Sequence, residues 1–566
     1  MRPDSIVFGA AGFVGRALVE ELLRRGHGVA AAVRGGGDRL ASALAERDVP
    51  LDGLRVVTAD ITRPGLGLAD DLADVRDVYN TAARFAFGLG VTEARAVNVT
   101  GALNVLDWAA TLTYLRRVVH ISGYRVSGGG APDYRRLGAY EGSKREGDTA
   151  VRARAQERGI PLTIANPATV IGPGQFIGLA SLVSDLWRGR LPAVPGGPEV
   201  FVPVVDLGYL AAFLADLPAD ERTEGNAYWV LDEETPHLPD LVKLIAAHLG
   251  VPAPERTIPV GLLRRLPRTI TGAEPETLSF LSADRYDTAS AQAVARRPMP
   301  PVGPALKRWA DDLVATGFGT SAPPRGPYGF HRVAGSATWL TGEREHPSHV
   351  LLHGLPFDSA SWSQMVERLD APVLAADLPG LGRSSPADGP LEDWLAELLR
   401  TVGSRPTLVA HSLACGPAIR HAAAHPDGLS RLVLVAPAFL QAPAPWPRRS
   451  SLAVPVLRRM TSARLARALG VPESPATVSA AANLARPGHA RRVVAAMRAA
   501  RADLASTLSR VTVPVDIVVG SADPLVTPVD RPVTVIEGAG HYPQLTHPDD
   551  LVHALAGAGT PPRIGL

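Results

Sequence analysis

Ser412, Asp523 and His541 are residue types that together can carry out acyl transfer. A serine hydroxyl attacks a carbonyl usefully only when an imidazole takes its proton, and a carboxylate fixes that imidazole's tautomer. Ser412 lies in Ala410-His-Ser-Leu-Ala414, directly after the apolar run that starts at Thr407, so the serine falls where a strand turns into a helix. Small residues flanking such a turn relieve crowding. The usual pattern has glycine on both sides, and here both are alanine. Alone, the pentapeptide also suits a serine that caps a helix. Its setting favours chemistry. His353-Gly354-Leu355 and Asp377-Leu-Pro-Gly380-Leu-Gly382-Arg-Ser384 each follow an apolar run upstream, while Asp523 and His541 each follow one downstream.

A second set suits hydride and proton transfer. Tyr140 and Lys144 are spaced i, i+4, so on a helix they share a face, and the ammonium lowers the cost of ionising the phenol. The phenol could then exchange a proton with a substrate oxygen as hydride moves. Far upstream, Gly9-Ala-Ala-Gly12-Phe-Val-Gly15 separates the strand-like Ile6-Val-Phe8 from the amphipathic run Val14 to Arg25. Glycines there permit a tight turn and let the backbone approach a pyrophosphate at a helix N-terminus. An ordinary glycine-rich turn would have the same look. Arg34 ends the second strand, where an acidic residue would meet a ribose hydroxyl; arginine there can meet a 2′-phosphate, or simply be solvated.

These residues need elements to hold them. Short β-type runs (Ile6 to Phe8, Val29 to Val33, Val56-Val57, Val78-Tyr79, Val118 to Ile121, Leu162 to Ile164) alternate with helical patterns such as Val91 to Ala110, which predicts a parallel sheet covered by helices. The pattern breaks in the Gly- and Pro-rich stretch Gly317 to Tyr328. A second series follows, with Val350 to Leu352, Val373-Leu374, Thr407 to Ala410, Leu432 to Val435 and Val515 to Val519. The expected organisation is two α/β domains over residues 1–318 and 329–566, a linker over 319–328, and a helical cap over about 438–509.

Residues 1 to about 315 resemble the extended short-chain dehydrogenase/reductases, in the style of dihydroflavonol reductases and 3β-hydroxysteroid dehydrogenases. The matching motifs run in family order: Gly9/Gly12/Gly15, Asp60 in Thr-Ala-Asp-Ile, Asn80-Thr-Ala-Ala83, Asn98-Val-Thr-Gly101, Ser122, Tyr140/Lys144, and Asn166-Pro167 through Gly172-Pro173. The resemblance implies a doubly wound Rossmann-type sheet. It implies a cofactor held by Gly9, Ala11, Gly12, Phe13, Val14, Gly15, Arg34, Asp60, Ile61, Thr81, Ala82, Ala83, Asn98, Tyr140, Lys144 and Pro167. NADP(H) is expected, with NAD(H) as the other option. Ser122 is the candidate to polarise the substrate carbonyl, although alignment on Val126-Ser-Gly128 puts Gly123 at that place in some relatives. Asn166 stands where the family usually has arginine, and Asp206 resembles a structural element.

Residues 328 to about 560 resemble the α/β-hydrolase superfamily. The order Ser412, Asp523, His541 is its triad order, and a helical insertion before the aspartate is where a cap would lie. The resemblance implies His541 as general base, Asp523 as its orienting partner, and backbone N–H groups of Leu355 and Leu413 as an oxyanion hole. A serine nucleophile selects ester, thioester, lactone or carbon–carbon hydrolysis over dehalogenation. Asp358 and Asp393 are expected as exposed polar residues, and Cys415 as a small buried hydrophobe.

Bulk composition sets the exclusions. A formal charge of +2 on 566 residues gives no reason to expect nucleic acid or a membrane surface as a partner. A single cysteine forbids an internal disulfide and a cysteine-rich metal site, so no metal is expected. No apolar run is long enough for a bilayer, and no leader pattern precedes Ser5, so the expectation is a cytoplasmic protein acting on small molecules, with a homo-oligomer left open. The combined reading is a bifunctional enzyme. The alternative is a reductase whose hydrolase-like domain binds a ligand or serves assembly without catalysis.

Overall fold

The computed structural model describes residues 2–69, 72–84, 89–126, 131–263, 265, 281–442, 450–498 and 503–556. It divides into two compact units, one of residues 1–182, 192–245 and 254–309, the other of residues 183–191, 246–253 and 310–566.

The first unit is built on β1 (Ser5–Phe8), β2 (Val29–Val33), β3 (Leu54–Thr58), β4 (Asp77–Asn80), β5 (Arg117–Ile121), β6 (Leu162–Pro167) and β7 (Ala227–Val230). The order is β7-β6-β5-β4-β1-β2-β3, with every neighbour parallel. Such strands are covered on both faces and therefore read as continuous apolar runs. In β1, Val7 enters one core with Leu18, Val19 and Leu210, while Ile6 and Phe8 enter the opposite core with Leu106, Val118 and Ile164. The helix after β1, α1 (Phe13–Arg24), buries Leu18, Val19, Leu22 and Leu23 at helical spacing. Successive connections run outward in opposite directions from β1 and β4, so a crevice opens at the C-terminal ends of these two strands.

The second unit holds an eight-stranded sheet: β8 (Tyr328–Val333), β9 (Ser336–Gly342), β10 (His349–Leu352), β11 (Val373–Ala376), β12 (Thr407–His411), β13 (Arg431–Val435), β14 (Val515–Gly520) and β15 (Val533–Ile536). The order is β8-β9-β11-β10-β12-β13-β14-β15. β9 is antiparallel to β8 and β11, and the remaining pairs are parallel. β8 and β9 form a hairpin whose two-residue turn, Ala334-Gly335, has positive φ at both positions, the backbone hand that matches strand twist. After β11 the chain crosses back over β10 to β12, so the ends of β10 and β12 flank a second crevice. Among the described residues between β13 and β14 lie five helices, Ala453–Arg458, Ser462–Leu469, Pro475–Ala485, His489–Met497 and Leu504–Ser509. Among the described residues, no helix is long and apolar enough to cross a membrane.

Candidate active sites

The first crevice gathers the glycine motif and the loop after β4. A Cβ on Gly15 would fall 2.2 Å from the Gly9 carbonyl oxygen, and one on Gly9 would fall 2.8 Å from the backbone of Ala82. Only glycine lets these segments close together. Ala11 and Gly12 are exposed beside the start of α1, whose first turn has no acidic residue and no side-chain cap. The donors of that turn are thus open to a phosphate group. Phe13 and Val14 are half-buried next to them, and Thr81 Oγ1 donates to the Phe8 carbonyl, which fixes the Thr81-Ala82-Ala83 turn. Arg34 is exposed at the end of β2. Asp60 accepts from the amide and hydroxyl of Thr62, which holds its carboxyl below the ordinary range, with Arg63 and Arg34 adding to the effect. Ile61 is buried beside Gly101. These residues fit a dinucleotide lying across the β1/β4 crevice.

Tyr140 and Lys144 sit on α2 (Tyr134–Arg158), which breaks its helical path at Gly138 (φ 81°) and ends on Gly159 in the left-handed region. Lys144 Nζ donates to the Ile121 carbonyl at 3.0 Å, one residue before Ser122, so the end of β5 and the lysine are adjacent. Burial lowers the Lys144 pKa to about 8 against the opposing pull of Glu141 and Asp148. Burial, with Glu141 adding, raises the Tyr140 phenol, which therefore holds its proton. The shift runs opposite to the one expected from the i, i+4 lysine, with desolvation as its main cause. Asn98 lies in a π-helical turn, Ala96–Gly101. Its amide accepts from Arg84 N–H and donates to Ser143 Oγ, and Ser143 in turn donates to the Tyr140 carbonyl, so Asn98 braces α2. Ser122 Oγ and both amide atoms of Asn166 are buried without a hydrogen-bond partner among the described residues, polar groups of the kind a bound ligand satisfies. Pro167 is half-buried at the end of β6. A Cβ on Gly123 would fall 3.2 Å from Val126 Cγ1 and 3.3 Å from Lys144 Cβ; Gly128 lies outside the described residues.

In the second crevice, Ser412 follows β12 with φ +55° and only 7% exposure, and α3 (Cys415–Ala424) starts three residues later. A non-glycine residue held in this region is a strained turn of the nucleophile-elbow type. Ala410 and Ala414 are fully buried, so the two methyl groups are accommodated where glycine is usual. His541 Nε2 lies 2.9 Å from Ser412 Oγ, and His541 Nδ1 lies 2.6 Å from Asp523 Oδ2. A carboxylate can only accept, so Nδ1 carries the proton and Nε2 is free to receive one from the hydroxyl. Gly354 is pressed against the elbow: a Cβ there would fall 2.4 Å from His411 Nδ1 and 2.7 Å from Ser412 Cβ. This close approach sets the backbone of Gly354-Leu355 beside Ser412, and Leu355 and Leu413 line the same cavity as the serine.

Several supporting residues carry no sequence signal. Gln441 donates to the Asp523 carbonyl at 2.9 Å and to its Oδ2 at 2.5 Å. His411 Nε2 lies 2.7 Å from the His541 carbonyl, to which it must donate, and Gln544 faces its Nδ1. Tyr542 donates to the Leu355 carbonyl at 3.0 Å. The expectation for Asp358 needs correction. Asp393 is exposed, but Asp358 is fully buried, accepting from Ser479 and Asn483 of the inserted helix Pro475–Ala485 and facing Arg383 at 3.7 Å. Cys415 is fully buried, as expected, and its thiol donates to the Ala410 carbonyl.

Two sites of different chemistry, each at the switch point of its own α/β sheet, define a tandem of an oxidoreductase-type and a hydrolase-type domain. Residues 5–190 match the NAD dependent epimerase/dehydratase family and residues 350–554 the alpha/beta hydrolase family, and the chain belongs to both. Its N-terminal part is 32% identical over 276 residues to sterol demethylase protein B of Methylococcus capsulatus, covering 46% of this chain and 79% of that protein. It is 28% identical over 267 residues to a 2-alkyl-3-oxoalkanoate reductase of Stenotrophomonas maltophilia, covering 45% and 78%. Its C-terminal part is 31% identical over 241 residues to a pimeloyl-[acyl-carrier protein] methyl ester esterase of Aromatoleum aromaticum, covering 36% and 94%.

Proposed function

We propose that the chain is a bifunctional enzyme of small-molecule metabolism, pairing NADP(H)-dependent carbonyl reduction, or its reversal, in residues 1–318 with serine hydrolysis of an ester, thioester or lactone in residues 329–566. The observation that carries the reading is the continuous relay from Ser412 through His541 to Asp523. In the hydrolase, Ser412 Oγ bonds to the acyl carbon while its proton moves to His541 Nε2. The leaving alcohol or thiol departs with that proton. Water then repeats the sequence, releases the acid and restores the serine. Leu413 and Leu355 N–H groups donate to the oxyanion, and Asp523 stabilises the imidazolium.

In the reductase, the bound dinucleotide supplies or receives a hydride. Gly9 to Gly15 would hold its pyrophosphate, Asp60 and Ile61 its adenine side, and Arg34 its 2′-phosphate, which would favour NADP(H) over NAD(H). Ser122 donates its hydroxyl to the substrate oxygen, and Tyr140, whose phenol holds its proton, delivers that proton. The relatives' names, a sterol demethylase protein, an oxoalkanoate reductase and a methyl ester esterase, suit a carbon-rich keto or ester metabolite.

Labelling the purified chain with a fluorophosphonate and locating the adduct by mass spectrometry tests this, together with NADPH oxidation against a panel of ketones. The expected result is an adduct on Ser412 that His541→Ala abolishes. A folded chain with no adduct would leave the second domain as a ligand-binding or assembly module.

A further inference from the structure

A cavity of about 870 Å³ runs from Ser412 and His541 toward the helices inserted after β13. Small-molecule sites span about 300–1,000 Å³, so this one lies near the top of that range and an acetyl group would leave most of it unfilled. Its far walls are aliphatic, with Leu457, Met460, Leu465 and Leu469 from the inserted segment and Leu504 beyond them. Among the described residues, the lining's polar side chains outside the relay are Gln441, bonded to Asp523, Tyr542, bonded to the Leu355 carbonyl, and the charged Glu392 and Arg420. Arg420 donates to Glu392 at 2.7 Å and to Asp503 at 3.2 Å. Two carboxylates around one guanidinium leave this group net negative, so the described lining offers a substrate carboxylate no unpaired cation.

We infer that the Ser412 site takes esters or thioesters of bulky, uncharged, apolar acids, and rejects both short acyl groups and acyl chains that end in a carboxylate. This rests on the serine-hydrolase reading above. Transfer of each added methylene from water into such a cavity favours the acyl-transfer transition state, because the chain is desolvated on the way to it.

The test is a series of p-nitrophenyl esters with one leaving group, from acetyl through octanoyl to dodecanoyl, plus the nonanedioic monoester, alongside fluorophosphonate labelling of Ser412. We expect kcat/KM to climb by up to about fourfold per methylene over the first steps, with octanoyl at least about thirtyfold above acetyl. The monoester, matched in length but charged, should fall at least about tenfold below its neutral counterpart. Met460→Trp should move the optimum to shorter chains. A flat or falling series on a chain whose Ser412 is labelled overturns the substrate class and leaves the hydrolase standing. Absence of labelling overturns both.

Discussion

A serine relay works only while its imidazole stays within hydrogen-bond reach of the hydroxyl, and the loop that carries His541 has to be held by its backbone for that to persist. His411 meets the need from the elbow itself. It is fully buried, and burial, with the His541 imidazole nearby, holds its pKa well below the usual value. The neutral ring therefore keeps one tautomer, Nε2–H donating to the His541 carbonyl and Nδ1 accepting from Gln544. Removing that donor frees the loop without touching substrate. His411→Ala should lower kcat for ester hydrolysis about ten- to a hundredfold, with KM changed by no more than about threefold, and His411→Gln, which keeps a donor of similar reach, should recover part of the loss. Steady-state kinetics with an octanoyl ester reads the split. A rise in KM at constant kcat would instead make His411 a wall of the pocket.

At the scale of elements, the inserted helix Pro475–Ala485 is tied to the sheet through charge. Asp358, in the turn after β10, accepts from Ser479 and Asn483, while Arg383 spans Asp358, Asp377 and Ser479. Burial works against the Arg383 charge, but the two carboxylates outweigh it and raise its pKa. Truncating Asp358 strands the Ser479 and Asn483 donors, while Arg383 keeps Asp377 as its counter-ion. Asp358→Ala should therefore destabilise the chain by about 2–4 kcal/mol, read as a lower thermal midpoint. The double variant Asp358→Ala/Arg383→Met should be less damaged than the sum of its parts, since either single change already breaks the Arg383–Asp358 contact. Additive losses would mean the contacts act independently. This latch also marks where sequence reading stops. The elbow at Ser412 and the turn at Gly9 were legible because strand, turn and helix are contiguous there and their small residues answer to local geometry. The hairpin of β8 and β9 was not, since its first strand opens at Tyr328, where a linker was expected to end, and its register rests on a turn with positive φ at Ala334. Nor did β7 stand out, at four residues. Asp358, Gln441, His411 and Tyr542 owe their roles to partners far along the chain, and the spacing of residue types carries no trace of such pairings.

For the whole molecule, the question is whether two chemistries in one chain act as one. Each unit has cores of its own on both faces of its sheet, and no residue assigned to one site is assigned to the other. Perturbations that remain inside one core leave the other fold intact, so the two activities should be separable by single substitutions. Tyr140→Phe removes the proposed proton donor, and reductive turnover should drop by at least about a hundredfold. Ester hydrolysis by the same protein should stay within about twofold. Ser412→Ala should do the reverse, lowering hydrolysis by about 10⁴-fold or more while NADPH oxidation is unchanged. Mixing the two variants then asks a further question. If a metabolite bearing both a ketone and an ester is processed by the mixture as fast as by the native chain, its intermediate passes through solution. If the native chain is faster at low enzyme concentration and the gap closes as concentration rises, tethering supplies an effective concentration that free diffusion lacks, and the fusion itself contributes to flux. Loss of hydrolysis in Tyr140→Phe would count against separable sites.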